Sequence, residues 1–210
     1  MSSHYYDSKP TVGSERGEVS IDVNGERVTY STDRGVFSKG EVDFGSRFLL
    51  ETFVEPEVAG GVLDVGSGYG TLGIAIAKTG DRHVWMTDIN ERAVALSKEN
   101  ATKNKVDSQV TVVHGSVLER VPEDVRFAAA VTNPPIRAGK DVVHQIFEDV
   151  YRVLENGGEL WVVIQKKQGA PSAKKKLVEL FGDVEEVAKR KGTQFFEVGN
   201  KKRKEYLTGC

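Results

Sequence analysis

The chain reads as an α/β protein built on a doubly wound sheet, with a β-hairpin ahead of it. Three observations predict this. Short apolar runs suited to buried strands recur along the 210 residues. Stretches with helical apolar spacing separate them, and glycine- or proline-rich turns close them. Strand and helix alternate for about five rounds, a pattern that places crossover helices on both faces of a mostly parallel sheet.

Each element has its own justification. Residues 1–17 are polar and rich in Gly and Ser, and read as a loose lead-in. Val19, Ile21 and Val23 alternate with polar residues, Asn24-Gly25 follows, and Val28 and Tyr30 complete a hairpin signal that stands as an appendage. Residues 43–54 carry Phe44, Phe48, Leu49 and Phe53 on one helical face. Gly61-Val62-Leu63-Asp64-Val65 is a buried strand, followed by a glycine-rich turn and an apolar helix around residues 72–77. Residues 83–87 form a second strand, and Asn90 caps the helix through Ala93, Leu96 and Ser97. Residues 110–113 are a third strand; residues 127–131 are a fourth, ending at Thr132-Asn133-Pro134-Pro135. The next helix aligns Val142, Val143, Ile146, Phe147, Val150, Tyr151 and Leu154, and Gly157-Gly158 ends it. Residues 159–164 are the fifth strand and 170–181 a helix with Leu177, Leu180 and Phe181 inward. Residues 184–188 and 194–198 are short final strands around Lys191-Gly192. The expected parts are a lead-in and hairpin (1–35), a main domain (36–200) and a basic tail (201–210).

Hydrophobic residues make up 39% of the chain and charged residues 29%, enough for a core and a solvated surface. Cys210 is the one cysteine, so a disulfide within the chain and a cysteine zinc site are excluded. His4, His83, His114 and His144 have no ligand spacing, and no metal is expected. The first residues lack a charged segment followed by an apolar run, and no apolar stretch is long enough to span a bilayer. A cytoplasmic protein with no membrane partner is the expectation. The net charge of -2 argues at first against a nucleic-acid partner. It conceals an asymmetry: residues 151–210 hold 13 basic and 8 acidic side chains, residues 1–150 hold 16 and 23. Basic clusters at 166–167, 174–176, 189–191 and 201–204 suit a phosphate-contacting surface.

Ligands of doubly wound sheets sit at the carboxyl ends of the strands. After the first strand stands Asp64-Val65-Gly66-Ser67-Gly68-Tyr69-Gly70, whose alternate glycines let backbone approach a ligand closely. Gly68-x-Gly70-x-x-Gly73 also fits a dinucleotide fingerprint, although its first glycine falls late. The second strand ends at Asp88, a carboxylate suited to ribose hydroxyls. This predicts an adenosine-type ligand without choosing between NAD and S-adenosylmethionine. Asn133-Pro134-Pro135-Ile136 decides. Two prolines lock the backbone at a strand end facing the crevice. The Asn133 side-chain carbonyl and the Pro134 backbone carbonyl can both accept hydrogen bonds from an amine conjugated to a ring. Its nitrogen then pyramidalises and its lone pair can meet an electrophilic methyl group, with orientation set beforehand.

The set of residues 64–70, Asp88 and 133–136 resembles class I S-adenosylmethionine-dependent methyltransferases of the amino-methylating branch. The longer string Asn133-Pro134-Pro135-Ile136-Arg137-Ala138-Gly139-Lys140, with Gly35-Val36-Phe37-Ser38 and Asp43-Phe44-Gly45-Ser46 upstream, is similar to the ribosomal RNA small subunit methyltransferase C group. Members of that group methylate guanine N2 in 16S RNA. The resemblance spans about residues 5–200 and implies a Rossmann-like methyltransferase sheet, mostly parallel with an antiparallel last strand. It implies S-adenosyl-L-methionine as cofactor and S-adenosyl-L-homocysteine as product. Asp64, Gly66, Ser67, Gly68 and Gly70 would line the methionine end, Asp88 would hold the ribose, and Ile89 would lie against the adenine. Ser116 and Val117 stand where the family often has an aspartate on the adenine amine. Phe37, Gly45 and the 43–46 segment would cover the cofactor and shape the substrate mouth, with Phe37 touching substrate and Asn133 between cofactor and substrate. Catalysis would fall to Asn133, Pro134, Pro135 and Ile136. Arg137 and Lys140 would meet RNA phosphates. Ile136, where adenine- and glutamine-directed relatives often carry an aromatic, favours guanine.

Longer members carry a second methyltransferase-like domain, so RNA selection here is expected from a homodimer or from the basic C-terminal surface. The partner is then ribosomal RNA or the small ribosomal subunit. Two alternatives keep the fold: an adenine-N6 or protein-glutamine methyltransferase, and a non-catalytic RNA-binding or ribosome-assembly factor. A nicotinamide oxidoreductase leaves Asn133-Pro134-Pro135 unexplained.

Overall fold

The computed structural model of the protein describes residues 13–34, 36, 41–165, 169–190 and 193–199. A hairpin of β1 (Arg16–Val23) and β2 (Glu26–Asp33) turns on Asn24 and Gly25, both at positive φ, as a two-residue hairpin turn requires. There follow α1 (Phe44–Thr52), β3 (Gly61–Val65), α2 (Thr71–Thr79), β4 (Val84–Asp88), α3 (Glu91–Lys103), β5 (Val110–His114) and α4 (Val117–Arg120). Then come β6 (Phe127–Thr132), α5 (Lys140–Val153), β7 (Leu154–Gln165), α6 (Ala170–Phe181), β8 (Glu185–Arg190) and β9 (Thr193–Gly199).

Seven strands form one sheet in the order β5-β4-β3-β6-β7-β9-β8. The first five are mutually parallel; β9 runs antiparallel to both β7 and β8. The chain starts at β3 in the middle, winds outward to β5, then returns to β6 and winds the other way. That reversal separates the loops after β3 and β6, and a crevice opens at their carboxyl ends. The doubly wound α/β sheet with an antiparallel last strand is as the sequence predicts.

The central strands are apolar throughout because both faces are covered. Val62, Ala129, Val131, Trp161 and Val163 face one core with α1, α2, α3 and the hairpin. Their neighbours Leu63, Ala130, Leu160, Val162 and Ile164 face the other, under α5 and α6. Helix α5 turns Val143, Phe147 and Val150 inward, and complete burial of a side chain such as Phe147 contributes about 1.5–3 kcal/mol.

Four features differ from the sequence reading. Helix α5 ends at Val153, not at Gly157-Gly158; Leu154 caps it and opens β7. Gly158 serves close approach instead, because a Cβ there would lie 2.9 Å from the Phe127 carbonyl oxygen. Val142 is 41% exposed and faces the crevice rather than the core. Within the lead-in, Ser14 and the Glu15 N–H are tied to the Asp33 carboxylate at 2.8 and 2.6 Å. The hairpin is a separate two-stranded sheet, as the sequence predicts, and it packs firmly on the main domain. Val28 and Tyr30 are wholly buried; the Tyr30 hydroxyl donates to the Thr71 carbonyl (2.8 Å). The short helix α4 carried too little apolar pattern to be read beforehand.

Asn100 of α3 joins these parts. Its Oδ1 accepts from the Ser31 N–H (2.7 Å), while its Nδ2 donates to the carbonyls of Ser31 (2.9 Å) and Tyr69 (2.8 Å). Asn100→Ala orphans three buried backbone groups and should lower unfolding free energy by about 2–4 kcal/mol in urea titration. A loss below about 0.5 kcal/mol, the range of ordinary surface substitutions, would show that the hairpin is not held this way.

Candidate active site

The loop after β3 is shaped by backbone conformation. Gly66, Gly68 and Gly70 all have positive φ (71°, 60° and 94°), a region costly for residues with a Cβ. At Gly70 a Cβ would also collide with the Ile74 side chain at 2.5 Å. The loop is held from below. The N–H groups of Gly66 and Ser67 donate to the Thr87 carbonyl (2.9 and 3.1 Å), and the Ser97 hydroxyl donates to the Gly68 carbonyl (2.9 Å). Asp64 lies beneath it, 1% exposed, its Oδ2 accepting from the Gly73 N–H at 2.8 Å. Burial pushes its carboxyl up to about 7; the Gly73 N–H opposes this and the charge of Asp88 adds to it.

Asp88 ends β4. Its Oδ2 accepts from the Gly68 N–H and its Oδ1 from the Asn90 N–H, each at 2.8 Å. Burial raises its pKa against those two bonds. The helix-capping role falls to Asn90, whose side chain accepts from the N–H groups of Arg92 and Ala93. Each Asp88 oxygen keeps acceptor capacity, since a carboxylate offers about four lone-pair sites. Next to it lies a cavity of about 350 Å³, walled by the apolar Val65, Ile89, Val117, Pro135, Val142 and Ile146. That volume is in the range of small-molecule sites.

Asn133 follows β6. The Thr132 hydroxyl donates to the Val65 carbonyl (2.8 Å) and fastens the end of β6 to that of β3. The Asn133 Nδ2 donates to Asp43 Oδ1 (3.0 Å) and Ser46 Oγ (3.2 Å). Asp43 is also the N-cap of α1, accepting from the Ser46 N–H. A carboxylate only accepts, so it fixes which end of the amide is nitrogen, and Oδ1 of Asn133 has no hydrogen-bond partner among the described residues. A second, smaller cavity joins Asn133 and Ser46 to Asp64, Ser67 and the glycine loop. The Pro134 carbonyl accepts from the Ile136 N–H (2.8 Å) and retains a second lone pair.

The structure thus brings Asp64, Gly66, Ser67, Gly68 and Asn133 around one cavity and Asp88, Ile89, Ser116, Val117 and Pro135 around the adjoining one. Gly45 lines neither; it lets the first turn of α1 pack on Val163, 3.1 Å from where a Cβ would stand. Ser116 is the N-cap of α4, and its N–H donates to the Glu119 carboxylate (3.1 Å). Arg137 and Lys140 are exposed on the turn and helix start after Pro135. Phe37, the 166–167 cluster, Lys191 and the 201–204 cluster lie outside the described residues. Lys176 pairs with Glu148 at 2.7 Å, so the 174–176 cluster offers Lys174 and Lys175 as its exposed charges. Sequence reasoning placed Asp43 and Ser46 at the mouth but missed their hold on Asn133. Among the described residues no group of three or more His, Cys, Asp or Glu is placed to hold a metal ion, and no helix is long and apolar enough to cross a membrane.

A family model for the methyltransferase small domain matches residues 27–197. The chain belongs to this family. The methyltransferase domain is 52% identical over 193 residues to the uncharacterized protein YbxB of Bacillus subtilis, covering 91% of this chain and 96% of that one. It is 35% identical over 155 residues to ribosomal RNA small subunit methyltransferase C of Vibrio cholerae, covering 69% of this chain and 42% of that one. The T. thermophilus 16S rRNA N2 G1207 methyltransferase, solved with AdoMet and guanosine, superposes with a TM-score of 0.78 at 27% identity, over 90% of this chain and 52% of that one. Within the family the chain therefore belongs with the ribosomal RNA small subunit methyltransferase C group, and it spans about half the length of the two named members it matches.

Proposed function

We propose that the protein transfers a methyl group from S-adenosylmethionine to an exocyclic amine of RNA, guanine N2 of 16S ribosomal RNA, in naked RNA or the small subunit. The observation that carries this reading is the Asn133 amide, held by Asp43 and Ser46 with its oxygen left to accept.

The residues present fit the cofactor. Ser67 Oγ is buried and has no hydrogen-bond partner among the described residues, and it lines the cavity shared by Asp64 and Asn133; such an atom calls for a polar ligand. Asp64 and Ser67 would hold the methionine end, Asp88 the ribose, and the apolar cavity beside Ile89 the adenine. S-adenosylmethionine supplies an electrophilic methyl group on a sulfonium. The chain's own residues prepare the acceptor. The Asn133 Oδ1 and the Pro134 carbonyl accept the two amine N–H groups, which draws the nitrogen lone pair out of conjugation and aims it. Pro134 and Pro135 keep those acceptors from moving. The proton left on nitrogen after transfer passes to water, so no strong base is required.

Two things support guanine as the base: the similarity to the T. thermophilus guanine-N2 enzyme and Ile136, which offers apolar contact in place of an aromatic stack. Exposed Arg137, Lys140, Lys174 and Lys175 supply phosphate contacts.

The test is methyl-donor labelling of naked 16S RNA and of 30S subunits, with the labelled base mapped. N2-methylguanosine supports the reading; label in adenine or in protein overturns it. Asn133→Ala should reduce transfer by about 10²-fold or more while cofactor affinity changes only a few fold; full turnover would refute the role of the amide. Cofactor binding should also depend on pH. The carboxyl of Asp64 stands at about 7, and a cationic ligand pairs with its ionised form, so binding expels its proton. Affinity should rise between about pH 6 and about pH 8 and then level off. Calorimetry in buffers of different ionisation enthalpy reads the proton release, and a flat profile would contradict it.

A further inference from the structure

The cavity beside Asp88 contains an acidic group that the reaction does not use. Asp149 lies on α5, where residues 141, 142, 145, 146 and 149 form the face turned to that cavity; their spacing is that of one helical face. Its side chain belongs to a residue only 7% exposed. The one hydrogen bond it makes among the described residues is from Gln145 Nε2 to Oδ1, at 2.7 Å, and no ion pair forms there. Burial raises its pKa, Gln145 and Arg152 oppose the rise, and Glu148 and Glu119 add to it. Helix α4, which begins at Val117, packs against α5, and Asp149 lines the same cavity as Ser116 and Val117. Asp88 marks the end of the neighbouring strand β4.

A buried carboxyl facing an apolar cavity is unfavourable unless something donates to it. After β5, where the resemblance often implies an aspartate, stand Ser116 and Val117, and Ser116 is engaged in capping α4. No acid of the cavity wall therefore stands at the end of β5; on the helix side the wall has the exposed Asp141 and the buried Asp149. We infer that Asp149, positioned by Gln145, reads the purine edge of the bound cofactor by accepting a hydrogen bond from the exocyclic amine of its adenine. The inference rests on the cofactor reading above, not on the identity of the RNA target. Asp149 is a specificity residue for the nucleoside, supplied by α5 in place of the strand end.

The experiment compares affinities for S-adenosylhomocysteine and S-inosylhomocysteine, in which a carbonyl oxygen replaces the amine, by calorimetry on the full chain without RNA. The native protein should prefer the adenosyl compound by about tenfold or more, since a carbonyl facing a carboxyl cannot donate. Asp149→Asn keeps shape and volume and can both accept and donate, so the preference should fall toward unity. Thermal unfolding of the variant checks that the fold is retained. A native protein that does not discriminate, or an Asp149→Asn variant that keeps the full preference, overturns the inference. So does loss of the preference in Ser116→Ala together with its survival in Asp149→Asn. Failure of the native protein to bind either compound overturns the cofactor reading itself. Binding of both with equal affinity overturns only the role of Asp149.

Discussion

An amide presents a donor and an acceptor of nearly the same shape, and a site that needs the acceptor must dictate the orientation. Here Asp43 does so. Its Oδ1 takes the Asn133 Nδ2 at 3.0 Å and cannot take the oxygen, because an ionised carboxylate has nothing to donate. The same oxygen caps α1 through the Ser46 N–H, so the helix and the amide are held by one atom. Thr132 then fastens the end of β6 to β3. Two residues 90 positions apart thereby set the direction of the group on which the proposed chemistry depends.

The remaining architecture keeps this point in register with the cofactor side. The glycine loop is clamped by Ser97 and Asn100 of α3, and the chain just past it by Tyr30 of the hairpin. A hairpin outside the main sheet thus supports backbone at the heart of the site. Two buried carboxyls, Asp64 and Asp88, lie under that loop with their pKa values raised by burial. An acidic, desolvated pocket of this kind suits a cationic ligand. The basic excess falls on residues 151–210, and the near-neutral total is a sum over two portions with opposite tasks.

Much of this was legible in the sequence, for a physical reason. In a doubly wound sheet the ligand crevice lies at the strand ends, so Asp64, Asp88 and Asn133 could be found by locating where apolar runs stop. Contacts between distant segments could not. Asp43 opens the helix expected over residues 43–54, and nothing local says that its carboxylate also meets Asn133. Asn100 and Asp149 read as polar positions on amphipathic helices until packing turns them inward. Gly157-Gly158 carries the signature of a helix stop, yet Gly158 answers the close approach of β7 to the Phe127 carbonyl. Phe37 and most of the basic clusters fall outside the described residues, and their expected roles stay with the sequence argument.

The claim that Asp43 orients Asn133 is tested most directly by the methyl-transfer rate of Asn133→Asp alone and combined with Asp43→Asn. The single substitution sets two carboxylates against each other, and like charges at that distance repel. Asparagine caps a helix as well as aspartate does, and its amide nitrogen can donate to the new carboxylate. The account predicts that Asn133→Asp slows transfer by about tenfold or more and that adding Asp43→Asn recovers most of the loss, a strong coupling between the two sites. A second substitution that leaves the rate unchanged, or lowers it further, would contradict it.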